Sequence, residues 1–433
     1  MASFNITGPI TVGQALINSE TGIVGSNGSI QVTSGSAVTL SDNSGVLVAG
    51  DLLASAGAGI RGVNLNRTNI AITEGANIVT TGSGSSAHTA LYLPVGDLLR
   101  LTSAGNIQSA FRGIDVLTSN NDARLELILS GRITTADEAV QVLATGAGSQ
   151  IDVVHSGDIL SNFDAVELLG GSVTDIFLGN SGLIEGKTGG VRVSTANEII
   201  VNNSGTITGD GFSLNLTGTV ATSMVDNSGD LIGLVDMSDG ADVLRNSGLI
   251  DGDVLLGAGD DVFNTRWGTT TGDITTGDGN DVVRGSQGND DIDGQNDDDE
   301  IHGYGGDDML LGGAGFDTIR GGSGDDEIDG GGRSDLLIGG KGDDTITGAG
   351  GDDTFVMRRV GNGDDEVTDF QDGSDVVDLT GLGLQNFNKF DQTGAMSNDF
   401  DAVVIDLALA GGSGSLRLVG VQVADMDATD FLF

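Results

Sequence analysis

The chain of 433 residues carries a formal charge of −45, with 74 glycines, two prolines, no cysteine and 4% aromatic residues. Such acidity repels phosphate and excludes nucleic acid as a natural partner; it also disfavours anionic membrane surfaces unless a cation bridges the two. The lack of cysteine rules out disulfides and thiolate metal sites, and no apolar run approaches the roughly 18 residues that a membrane-spanning helix needs.

At the amino end, Met1-Ala-Ser-Phe-Asn-Ile-Thr-Gly-Pro9 has neither a basic region nor an apolar core, so no Sec signal peptide is expected there. Gly8-Pro9 breaks an early helix, and Ile10, Val12, Ala15 and Ile17 alternate as a strand would. This end is therefore expected either to be an open strand edge, able to pair with another chain, or to be covered by a polar loop folded over it.

Residues 1–235 then show a loose repeat: a small-residue corner, an apolar step and a second glycine. The clearest copies are Asn180-Ser-Gly-Leu-Ile-Glu-Gly186, Asn203-Ser-Gly-Thr-Ile-Thr-Gly209 and Asn227-Ser-Gly-Asp-Leu-Ile-Gly233, with a further one at Asn246-Ser-Gly-Leu-Ile-Asp-Gly252. Asn43-Ser-Gly45 and His155-Ser-Gly157 are fainter relatives. The marker glycines Gly105, Gly131, Gly157, Gly182, Gly205 and Gly229 recur at a nearly constant spacing, with strand-like stretches such as Arg124-Leu-Glu-Leu-Ile-Leu129 between them. Short strands with turn residues at a fixed period predict a solenoid, and a coil of this length suits a right-handed parallel β-helix. The asparagines are read as structural: stacked at a corner that tolerates left-handed geometry, each amide bonding to the next. The pattern resembles the passenger-type β-helices of bacterial surface proteins.

From Thr276 to Val356 the repeat becomes a nonapeptide, nine copies in phase. The sixth place is always aspartate (Asp281, Asp290, Asp299, Asp308, Asp317, Asp326, Asp335, Asp344, Asp353) and the eighth always a large apolar residue, from Val283 to Phe355. The unit Gly321-Gly-Ser-Gly-Asp-Asp-Glu-Ile-Asp329 reads G-G-x-G-x-D-x-U-x. It closely resembles the calcium-binding nonapeptide of the RTX family. Calcium takes six to eight oxygen ligands in flexible geometry. Glycines that reach φ > 0 let a turn offer its carbonyls, and the aspartate adds anionic oxygen. The resemblance implies a parallel β-roll in which two nonapeptides form one coil and turns alternate between two edges. Calcium would lie between turns two units apart, pairing for example Asp308 with Asp326 and Asp317 with Asp335, for roughly seven ions in all.

The metal-site residues expected on this basis are the nine aspartates with Gly277, Gly279, Gly288, Gly306, Gly313, Gly315, Gly322, Gly324, Gly340, Gly342 and Gly351. Asp261 and Asp365, in imperfect flanking copies, extend the set. Two units depart from the pattern: Asp297 stands where φ > 0 is wanted, and Arg333 brings a positive charge into a fourth place. Between positions 276 and 356 the chain holds 21 acidic and four basic side chains, a net of −17. That density would repel itself without counterions, so the segment is expected to fold only on binding calcium.

The remainder, 369–433, is expected to be a small C-terminal β region. Val367-Thr-Asp-Phe-Gln-Asp-Gly-Ser-Asp-Val-Val-Asp-Leu-Thr380 resembles the segment that closes RTX arrays in exported bacterial proteins. The ending Asp430-Phe-Leu-Phe433 resembles the uncleaved signal read by type I secretion machinery; the same residues also read as a final core strand.

The fold expected is thus all-β: a right-handed parallel β-helix (1–235) continuing without a flexible linker into a calcium-binding parallel β-roll (236–368), then a C-terminal cap and signal region (369–433). RTX proteins include enzymes, but His88, His155 and His302 form no H-E-x-x-H and no serine forms G-x-S-x-G. The enzymatic alternative is a β-helical polysaccharide epimerase or lyase, with His88, Tyr92 and Arg112 as a catalytic trio. Only eight basic residues and no tryptophan in the first 235 weigh against it. Trp267 is expected to cap a core, and His302, in a variable ninth place, to face solvent. The leading expectation is a secreted, non-enzymatic calcium-binding rod: a surface-layer, biofilm-matrix or adhesin component. Its expected partners are calcium, the secretion machinery and either itself or a cell-surface polysaccharide.

Overall fold

The computed structural model describes all residues except 1–3, 12–13, 17–20, 33–35, 42–43, 56, 64, 82–88, 172–173, 218–221, 359–362, 385, 401 and 411. The chain divides into two compact units, Met1–Asp239 and Gly240–Phe433.

The first unit is a parallel β-solenoid with three strands per coil. Alternation of apolar and polar residues in short strands leaves one face of each strand to bury, and coiling stacks those faces on one another. Three aliphatic columns result. Ile70, Leu101, Leu127, Val153, Leu178, Val201 and Val225 follow one another in register on the first strand. Ile78, Ile107, Ile133, Ile159, Ile184, Ile207 and Leu231 do so on the second. Leu91, Ile114, Val140, Val166, Val191, Leu214 and Val235 line up on the third. All are buried to 1% exposure or less, each stabilising the core by about 1.5–3 kcal/mol. The register offsets between Leu99, Leu125, Ile151, Ile176, Ile199 and Ser223 repeat the spacing of the marker glycines. Those glycines stack as well: a side chain on Gly131, Gly157, Gly182, Gly205 or Gly229 would strike the carbonyl oxygen of the marker glycine one coil before it.

The asparagines form the expected ladder. Asn180 Nδ2 donates to Asn203 Oδ1 and Asn203 Nδ2 to Asn227 Oδ1, both at 2.8 Å. His155 heads the ladder, with Nδ1 at 2.8 Å from Asn180 Oδ1. One detail differs from expectation: none of these asparagines has positive φ. They close the strands Asp175–Asn180, Glu198–Asn203 and Thr222–Asn227, so extended backbone, rather than a left-handed corner, aims each amide along the stack. At the amino end, Asn5–Ile6, Pro9–Ile10 and Gln14–Leu16 are strands, each paired with the coil that follows.

In the second unit the coil shortens. Val254 pairs with Ile274 and Phe263 with Val283. From there Ile274, Ile292, Leu310, Ile328 and Ile346 stack on one sheet, each two nonapeptides after the last. Val283, Ile301, Ile319, Leu337 and Phe355 do so on the other. These residues are buried to 1% or less and are the roll's main inner filling, one large side chain per strand. Two nonapeptides make one coil, as expected. Parallel pairing persists to Asp364–Val367 and Val376–Asp378, after which Ala402–Asp406 runs antiparallel to Met396–Asp399 and Ser415–Val419. The carboxyl end is built into this cap. Phe431–Leu432 pairs with Val377–Asp378, the Phe431 ring packs on Phe387, Phe390 and Phe433, and buried Asp430 accepts bonds from the Gly373 and Asp427 amides. Among the described residues no helix is long and apolar enough to cross a membrane.

Candidate metal centre

The nonapeptide's turn brings each sixth-place aspartate inward at one of two edges, directly over its counterpart two units away. Along one edge the amide N–H of Asp261, Asp281, Asp299, Asp317 and Asp335 donates to Oδ1 of Asp281, Asp299, Asp317, Asp335 and Asp353 in turn, at 2.7–2.9 Å. Along the other, the amides of Asp290, Asp308, Asp326 and Asp344 donate to Asp308, Asp326, Asp344 and Asp365, at 2.9–3.2 Å. Between nonapeptide aspartates this makes seven links, among them the expected pairs 308 with 326 and 317 with 335. Asp261 and Asp365 join the ladders from the flanking copies. Asp375, absent from the expected set, continues one ladder by accepting from the Asp353 amide.

One oxygen of each carboxylate is thus used by the fold. The other is not. Oδ2 of Asp261, Asp299, Asp308, Asp317, Asp326, Asp335, Asp344 and Asp353 is buried without a hydrogen-bond partner. A bare anionic oxygen out of water costs several kcal/mol. Burial, opposed by the amide bond and reinforced by neighbouring carboxylates, pushes Asp261 and Asp299 up to about 8, and Asp308, Asp335, Asp344 and Asp365 up to about 7. Asp317, Asp326 and Asp353 rise to about 6. Either a proton or a cation has to answer these oxygens.

Main-chain oxygens lie close to them. An atom set on Gly312 at the Cβ position would lie 2.6 Å from Asp317 Oδ2 and 2.6 Å from the Gly330 carbonyl oxygen. The same construction on Gly294 falls 2.5 Å from Asp299 Oδ2 and 2.7 Å from the Gly312 oxygen. Carboxylate and carbonyl oxygens therefore face one another in pairs, of the hard-oxygen type that calcium prefers, and each pair is part of the six to eight ligands it takes. Among the described residues no cluster of three or more His, Cys, Asp or Glu side chains could hold a metal, so main-chain carbonyls would have to supply most of any ligand set. These first-place carbonyls (Gly303, Gly312, Gly321, Gly330, Gly339) are absent from the set expected from sequence. Their signal was the near-invariant first glycine, whose missing side chain leaves the space that the carboxylate oxygen faces.

The second and fourth places behave as the motif implies. Gly277, Gly313, Gly322 and Gly340, then Gly279, Gly306, Gly324, Gly342 and Gly351, all have φ between 98° and 158°. Non-glycine residues take the same conformation where the motif departs: Gln295 and Asp297 at 70° and 73°, Tyr304 at 78°, Arg333 at 83° and Ala349 at 62°. Gly288 and Gly315 lie outside this left-handed region and correct the expectation. Gly315 must still be glycine, because a side chain would meet the Asp297 carbonyl; at Gly288 the nearest atom would be Ser286 Oγ at 3.7 Å. Ser286 also makes Asp290 the exception among the nine nonapeptide aspartates, since its amide and hydroxyl both bond that carboxylate. The Arg333 guanidinium lies over the Phe316 ring at 5.1 Å.

A family model described as the RTX calcium-binding nonapeptide repeat matches residues 275–310, 302–335 and 329–356. This stretch is an array of RTX repeats. RTX repeats bind several calcium ions per array, and here the unanswered oxygens recur coil after coil where that binding would occur. Among solved structures, the extracellular lipase LipA from Serratia marcescens matches at 16% identity and a TM-score of 0.22, over 50% of this chain and 41% of the lipase chain. The match thus spans about two fifths of that lipase's length. No curated protein matches the chain.

Of the remaining sequence candidates, Tyr92 and Arg112 meet on adjacent coils: the Ala90 amide donates to the Arg112 carbonyl, and Tyr92 pairs with Asp115, which lies 3.6 Å from the Arg112 guanidinium. His88 lies outside the described residues. Tyr92 lies beneath Arg61, 5.8 Å from its ring centre. Arg112 is held by Glu138 at 2.9 Å and Gln141 at 2.6 Å, beside Asp115 and Asp137. Trp267 caps no core: it is 76% exposed. The His302 ring is largely covered, with Nε2 2.8 Å from Glu300.

Proposed function

We propose that this protein is exported by a type I system and folds outside the cell on binding calcium, to serve as a non-enzymatic structural or adhesive component of a surface layer or matrix. The observation that carries the reading is the pair of aspartate ladders within RTX repeats, with their buried, unanswered oxygens. Extracellular calcium is plentiful enough to fill such sites, whereas weak sites stay empty at cytosolic levels. An unfolded roll inside the cell suits passage through a narrow exporter, and folding outside would make the passage one-way. A scaffold role is supported by the first unit, where long polar side chains tie neighbouring coils together: Arg112 to Glu138 and Gln141, Gln141 to Glu167, Arg192 to Asp164. Association with further copies of the chain belongs to the same reading and is read by light scattering of the calcium-folded protein at rising concentration.

Export is tested by deleting residues 430–433 in cells that carry a type I exporter. The truncated chain is expected to remain inside, and undiminished export would move the signal upstream into residues 380–429. Because Phe431 is also part of the cap, the truncated chain is purified and shown to fold with calcium before retention is ascribed to a lost signal. Release of unsaturated or epimerised sugar from a polyuronate by the calcium-loaded protein would establish the enzymatic alternative instead.

A further inference from the structure

The roll's outward ninth-place column on one sheet runs, in register, Arg245, Asn264, Arg284, His302 and Arg320. In a chain of net −45 this is an unusual run of cationic positions. Strands about 4.8 Å apart put Arg284 and Arg320 roughly 10 Å from each other. The turn beside the column carries the chain's sole tryptophan. The Arg266 guanidinium sits 5.0 Å from the Trp267 ring centre and 4.7 Å from that of Tyr304, so it is held between two aromatic faces. Tyr304 in turn stacks on His302 at 5.8 Å and 27°. His302 Nε2 lies 3.2 Å from Arg320 and 2.8 Å from Glu300, which also pairs with Arg320 at 3.5 Å. The result is one connected row of rings and guanidinium groups.

Two features of this row bear on its use. Trp267 is 76% exposed, yet the Arg266 stack fixes the indole in place instead of burying it. Tyr304 holds φ +78° in a place where most units have glycine, a conformation that costs a non-glycine residue free energy. A fixed, exposed aromatic platform flanked by cations is a recognition surface.

We propose that this face binds an acidic polysaccharide of the uronate class. The indole would cover the apolar C–H face of one sugar ring, while Arg284 and Arg320, two coils apart, would take carboxylates further along the chain. Arg266, Arg284 and Arg320 against Glu300 leave a small positive excess. That excess suits a polymer with one carboxylate per sugar better than the dense charge of a nucleic acid, which the rest of the molecule repels. The proposal rests on the calcium-folded roll, because the row is assembled from residues of successive coils; binding should therefore require calcium.

The sole tryptophan is its own reporter. With free calcium buffered, the full chain is titrated with hexagalacturonate, maltohexaose and a single-stranded DNA oligonucleotide of equal charge while Trp267 emission is followed. Saturable change with hexagalacturonate alone is expected. The Arg284→Ala, Arg320→Ala double variant is expected to bind about tenfold more weakly or worse, and Trp267→Ala, followed by calorimetry, to bind more weakly as well. Equal response to the neutral sugar or to DNA overturns the proposal, and so does affinity indifferent to these substitutions. Circular dichroism of the same samples separates the two readings. A chain that fails to fold with calcium contradicts the calcium reading, and one that folds but ignores hexagalacturonate contradicts this proposal alone.

Discussion

The two units solve the same problem, closing a parallel coil, with different means. In Met1–Asp239 each coil contributes several aliphatic side chains to three columns, and a buried polar column, from His155 to Asn227, is linked from coil to coil by side-chain hydrogen bonds. In the nonapeptide array a coil is two nonapeptides long and contributes two large apolar side chains, and its buried polar groups are carboxylates left half satisfied. A solenoid's stability sums over neighbouring coils. The first sum is therefore favourable from the chain's own atoms, whereas the second needs a cation at each step. Small coils gain compactness and lose autonomy.

The comparison is broken most severely by removing calcium. Chelation is expected to abolish the β-structure of residues 254–378 and to leave the first unit's intact, so circular dichroism should lose part of its β signal and regain it cooperatively with calcium. A signal unchanged by chelator contradicts the account. In the first unit the sensitive positions are aliphatic: Leu127→Ala should destabilise by about 2–5 kcal/mol through the cavity it leaves, with no dependence on calcium. Asn203→Ala should cost roughly 1–3 kcal/mol, because Asn180 Nδ2 and Asn227 Oδ1 each lose a buried partner. Denaturant titrations in calcium and in chelator check both.

Smaller effects grade the ladder itself. Asp317→Ala removes the carboxylate between Asp299 and Asp335 and should raise the calcium midpoint more than Asp261→Ala at the array's edge. Equal midpoints would argue that the ladder positions are independent. Acidity should act in a defined direction. The folded, metal-free carboxyls are raised from 3.8 to between about 6 and about 8, so protons favour the folded roll. That contribution is complete below the unfolded value and lost as pH rises through 6 to 8. Protons and calcium compete for the same oxygens, so the calcium midpoint should climb as pH falls from 8 to 6; a midpoint constant over that range would contradict the ladder geometry.

Much of this was legible in the chain because solenoids write their geometry as a period. The spacing of Gly105 to Gly229 is the strand register, since those glycines stack on one another and tolerate no side chain. His155, which stands where later coils have asparagine, was marked by the Ser-Gly that follows it. The aspartate and apolar places of the nonapeptide likewise returned their edges and core. What the period could not reveal is contact between atoms of different coils. The bare Oδ2 atoms face first-place carbonyls, a relation that depends on how far each turn rises and not on residue type. Nor could Trp267 be placed: a single residue outside any repeat has no phase, and only the Arg266 stack shows that its ring is held outward.

The most direct test is hydrogen exchange followed by mass spectrometry on the full chain, with and without calcium. The account predicts that peptides covering Leu99–Val225 keep their protection in chelator, while those covering Val283–Phe355 are slow to exchange with calcium and exchange at the rate of an unfolded chain without it. Protection of the array that persists in chelator at neutral pH, or loss of protection in both units together, would contradict it.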